Sequence, residues 1–91
     1  MTVIETAGLI RSSDDAIEEA LDARLRWPRY NSAHEGLGVL LEEVRELEAH
    51  VFRKQKDRDL AAMRKEAIQV AAVAIRFADE CCDEEVPHDR R

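Results

Sequence analysis

Nine consecutive positions, Ala67 to Ile75, are apolar apart from Gln69, which leaves a helix through them with almost no polar face. Such a helix has to be covered on nearly all sides, and a chain of 91 residues has little with which to cover it. The length allows one domain. The expectation is therefore an all-α protein, one domain over residues 1–91, whose three main helices form a four-helix-bundle-type core completed by homo-oligomerisation, most simply as a two-fold dimer.

The helices follow from caps and periodicity. Ser12 ahead of Asp15 offers a cap for a first helix carrying Ala16, Ile17, Ala20, Leu21 and Leu25, which Trp27-Pro28 ends. Met1 to Arg11 holds a short apolar patch broken by Gly8 and is expected to be loosely ordered. Ser32-Ala33-His34-Glu35 has the capping-box form, and Leu37, Leu40, Leu41, Val44, Leu47 and Val51 recur at helical spacing to about Lys54. Gly36 and Gly38 in its first turns suggest a tight helix crossing or a ligand close by. Asp57 or Asp59 caps a third helix to about Asp83, and Glu84 to Arg91, with Pro87, reads as a loose polar tail.

A net charge of −6 speaks against nucleic acid or an anionic membrane as partner, and four aromatic residues leave no platform for stacking bases. No run approaches membrane-spanning length and no signal segment is visible, so the expected location is the cytoplasm. The adjacent Cys81 and Cys82 fit no zinc spacing and are expected as reduced thiols.

Two stretches carry candidate chemistry. Glu42, Glu43 and Glu46 lie off the apolar stripe of the second helix, and residues three or four apart on a helix are neighbours. Alone, the run reads as a solvated acidic face. Glu66 and Gln69 share a face with Val73 and Arg76 at the border of the apolar run, where unpartnered polar groups are costly. Two helices facing each other through these residues make a plausible oxygen-ligand cage for a hard cation.

Glu42-Glu43-Val44-Arg45-Glu46, a spacer, and then Glu66-Ala67-Ile68-Gln69 with the alanine-rich run to Arg76 resemble the MazG-like all-α nucleoside triphosphate pyrophosphohydrolases, in particular small single-domain, phage-type members. The similarity runs from about Asn31 to Phe77. Glu43 and Glu46 match the family's Glu-x-x-Glu pair and Glu66 opens its Glu-x-x-Asp pair, with Gln69 standing where the family has Asp. The resemblance implies Mg²⁺ (or Mn²⁺) held by Glu43, Glu46, Glu66 and Gln69, with Glu42 as added ligand or base, and hydrolysis of a nucleoside triphosphate to a monophosphate and pyrophosphate. Lys54, Lys65 and Arg76 are the candidates to hold phosphates, although each, taken singly, reads first as a surface charge or ion-pair partner. His50 could join the site or stay a surface residue, and Trp27, Tyr30 and Asn31 are candidates for a specificity pocket. The competing readings are a non-catalytic helical dimer that binds metal or nucleotide, and a plain structural bundle.

Overall fold

Thr2 starts the first helix: its hydroxyl accepts from the Glu5 N–H and the Glu5 carboxylate accepts from the Thr2 N–H, a reciprocal cap. In the computed structural model, which describes residues 1–83, α1 accordingly runs Val3–Arg26. This corrects the expected start at Ser12 and the loose order expected before it. Gly8 is absorbed within the helix, and the polar residues that looked like a cap are used sideways instead. Arg64 donates to Ser12 Oγ at 3.3 Å and to Asp15 Oδ2 at 2.8 Å, tying α1 to a later helix.

Trp27 ends α1 in extended conformation, as the following proline requires. α2 runs Ala33–Val51, with Ser32 Oγ accepting from the Glu35 N–H. Glu35 does not close the box on Ser32. Its carboxylate reaches one residue further back, accepting from the backbone N–H and the side-chain amide of Asn31. The far end of α2 is satisfied by Arg58, which donates twice to Val51 O, at 3.2 and 2.7 Å. A 3-10 turn, Gln55–Asp57, leads to α3, Leu60–Cys82, capped by the Asp59 carboxylate on the Ala62 N–H. The tail expected from Glu84 onward lies outside the described residues.

α3 is the spine: α1 and α2 both pack on it and not on each other. α2 is antiparallel to α3, bringing Gly36 beside Phe77 and Glu46 beside Glu66. α1 runs alongside α3 in the same direction, held by Asp15–Arg64 near one end and Arg24–Asp79 near the other. Gly36 marks the close crossing expected of it, since a Cβ there would stand 2.8 Å from Phe77 Cδ2 and 3.1 Å from Tyr30 Cδ2. Gly38 faces open space.

The core of one chain is small: Ala16, Ala20, Tyr30, Gly36, Ala72 and Val73. Of the apolar run on α3 only Ala72 and Val73 are buried, while Ala74 and Ile75 are exposed. Among the described residues the architecture is all-helical, and no helix is long and apolar enough to cross a membrane.

Candidate metal centre

Because α1 and α2 stand apart on α3, a cleft of about 380 Å³ opens between them. Antiparallel pairing sets its polarity. Glu43 and Glu46 from α2 meet Lys65, Glu66 and Gln69 from α3 at one end, while Val39 and Trp27 stand with Val73 and Arg76 at the other. Glu19, Asp22, Ala23 and Arg26 form the α1 wall.

Glu43, Glu46 and Glu66 each offer one carboxylate oxygen, and these oxygens lie within 4.8 Å of one another. Burial raises Glu43 above the usual carboxylate range, and the charges of Glu46 and Glu66 add to the effect. Burial likewise raises Glu66, reinforced by Glu46 and opposed by His50 and Lys65. Glu66 Oε2 is buried without a hydrogen-bond partner. Three hard oxygen donors, two of them resisting ionisation because burial and neighbouring carboxylates disfavour the charged form, match the donor chemistry that Mg²⁺, Mn²⁺ or Ca²⁺ accepts, so the residues present fit a divalent cation.

The remaining candidates divide. Gln69 lines the same cleft, next to the triad. Glu42 is exposed and stands outside both the triad and the cleft. Lys65 lines the cleft, whereas Lys54 sits at the start of the 3-10 turn, away from it. Arg76 does reach the cleft, but its guanidinium is committed elsewhere. It donates to Glu80 through Nε at 2.9 Å, to Pro28 O at 3.3 Å, and stacks on the Tyr30 ring at 4.4 Å. Of its two sequence readings, ion-pair partner is what the contacts describe. Tyr30 is buried by that stacking, and Asn31 is tied to Glu35, so of the three pocket candidates Trp27 alone lines the cleft. His50 is half-buried near Glu66, with Nδ1 unpartnered.

Sequence reasoning missed the α1 wall and Glu80. Glu19 and Asp22 have the same one-turn spacing as the recognised pairs but lie on the first helix, which the sequence offered only as an apolar stripe of Ala16, Ile17, Ala20, Leu21 and Leu25. Glu80 follows Arg76 by four residues, the spacing of an intrahelical ion pair, and that signal was available. In comparison with known proteins the chain matches no family model, no curated protein and no solved structure.

Proposed function

We propose that the chain is a divalent-cation-dependent nucleoside triphosphate pyrophosphohydrolase acting in the cytoplasm as a homo-oligomer. The observation that carries this reading is the convergence of Glu43, Glu46 and Glu66 from two helices at one end of an open cleft. These three carboxylates, with the Gln69 amide oxygen, would hold Mg²⁺ or Mn²⁺. When bound there, such a cation would supply positive charge against the triphosphate. Lys65 adds a second positive charge beside the triphosphate. Water forms the new bond to the α-phosphorus, the bridge to the β-phosphate breaks, pyrophosphate leaves, and a carboxylate of the cluster accepts the proton of the water. The other end of the cleft, between Trp27, Val39 and Val73, takes the base. The apolar surface left open on the isolated chain supports association.

Gln69 favours a second reading, a helical dimer that binds metal or nucleotide without turnover, because an amide brings no charge to the cation. One assay separates them: release of monophosphate and pyrophosphate from a panel of standard and modified nucleoside triphosphates, with and without Mg²⁺. Metal-dependent release of both products supports the enzyme. Binding in calorimetry with no product from any substrate leaves the second reading.

A further inference from the structure

α2 packs on α3 alone, through the residues of α2 that are not exposed. Gly36, Leu40, Glu43, Leu47 and His50 follow one another there at alternating four- and three-residue steps, the spacing of a packed helix seam. Two of the five are polar. Glu43 and His50 stand one heptad apart on this face, and Glu66 enters the same seam from α3. The register that sets Gly36 beside Phe77 and Glu46 beside Glu66 sets His50 beside Met63, one turn of α3 before Glu66. His50 is close enough to Glu66 for its ring to act electrostatically on the carboxylate.

Each of these two side chains has one atom that is enclosed and without a hydrogen-bond partner, Nδ1 of His50 and Oε2 of Glu66. Enclosed polar atoms call for a partner, and the described residues supply none. Nor do the two side chains act as joint ligands of one ion. The ligand atoms that lie within 4.8 Å of one another belong to Glu43, Glu46 and Glu66, and neither nitrogen of His50 joins them. A carboxylate oxygen and an imidazole nitrogen without its hydrogen are both acceptors, so a partner that suits both must donate twice. Water does so, and its oxygen lone pairs are then left to face a hard cation, which keeps several waters when it binds.

We infer that His50 is a positioning residue for the cation of the glutamate triad: its Nδ1 accepts a hydrogen bond from a water of the cation's hydration shell, whose other hydrogen is accepted by Glu66 Oε2. The proton of the ring then resides on Nε2. This rests on the triad holding a cation and is independent of whether the chain turns over a nucleotide.

Calorimetric titration of the full chain with Mg²⁺ and with Mn²⁺ tests it, using wild type, His50→Leu, His50→Asn and His50→Gln. An asparagine carries its side-chain oxygen where histidine has Nδ1, and a glutamine carries it where histidine has Nε2. His50→Leu and His50→Gln should weaken binding on the order of tenfold, while His50→Asn should stay within about threefold of wild type. Position 50 is next to the last residue of α2, so circular dichroism should show unchanged helix content. Without metal, the melting temperature of His50→Leu should hold or rise, because an enclosed unpartnered nitrogen has been removed. A histidine retained only for packing gives the reverse pattern, a lower melting temperature with unchanged Mg²⁺ affinity, and would overturn the inference. Loss in His50→Asn as large as in His50→Leu, or full retention in His50→Gln, would overturn the assignment to Nδ1. Electron spin-echo modulation from a directly bound imidazole nitrogen in the wild-type Mn²⁺ complex would overturn the water-mediated contact. Wild type that binds neither ion would overturn the cation reading of the triad together with this one, whereas wild type and His50→Leu binding equally would overturn this one alone.

Discussion

Glu80 is fully buried, and its carboxylate accepts from the Tyr30 N–H at 2.9 Å, from Arg76 and from Arg24. Burial alone would push it up, but the hydrogen bonds from Arg76 and Tyr30 outweigh burial and hold it below the usual carboxylate range. Replacing it strands Arg76, which is 5% exposed. Glu80→Ala should therefore cost about 3 kcal/mol in urea unfolding, whereas Asp22→Ala, which breaks an exposed pair with Arg26, should cost under about 1 kcal/mol. The signs at the acidic cluster are opposite. Glu43 and Glu66 are raised, so the folded chain holds those protons more tightly than the unfolded one, and stability falls as pH rises through the raised values. Glu80 is lowered, so its stabilisation is present above the ordinary carboxylate range and is lost as pH falls through its depressed value. In the absence of divalent cation, the urea midpoint should rise on mild acidification from neutral pH and drop in stronger acid. Glu66→Gln should flatten the first limb and leave the second. It should also abolish turnover while leaving the fold intact.

At the scale of elements, the two glycines of α2 separate backbone propensity from packing. Gly38→Ala meets no atom within 4 Å and should stabilise by up to about 1 kcal/mol in thermal unfolding. Gly36→Ala offers the same gain in propensity but drives a methyl into Phe77 and Tyr30, and the net result should be a loss of about 1 to 3 kcal/mol. The second and third helices were legible because Ser32 and Asp59 are strong local caps and the apolar periods are regular. The start of α1 was not, because two cap signals compete: Thr2 with Glu5, and Ser12 with Asp15. The Thr2–Glu5 cap is the one that forms, and Ser12 and Asp15 meet Arg64 instead, 52 residues beyond Ser12, a contact no local pattern contains. The triad was legible as a pairing of helices. The α1 side of the cleft was not, because its placement follows from the Arg24 and Arg64 ion pairs to α3 rather than from any period along α1.

For the whole molecule, a small core and large uncovered apolar stripes tie stability to association and to ligand. Melting temperature should rise with protein concentration if folding and association are coupled. Mg²⁺ that binds the folded cluster should raise it further, by RT ln(1 + [Mg²⁺]/Kd), and Glu43→Gln should remove that increment. A melting temperature unmoved by Mg²⁺ would leave the glutamates as a solvated face and the chain as a plain bundle.

The absence of packing between α1 and α2 gives the cleft the mechanics of a calliper. Its two arms share one bar, α3, and are joined near the Trp27 end by the short 27–32 connector, which Glu80 and Arg76 rivet to that bar. No packing between the arms closes the Glu43–Glu66 end, where Gln69 lines the cleft from α3. Its replacement would alter the shape of that lining as well as its polarity, and a substitution at residue 69 should be read for both.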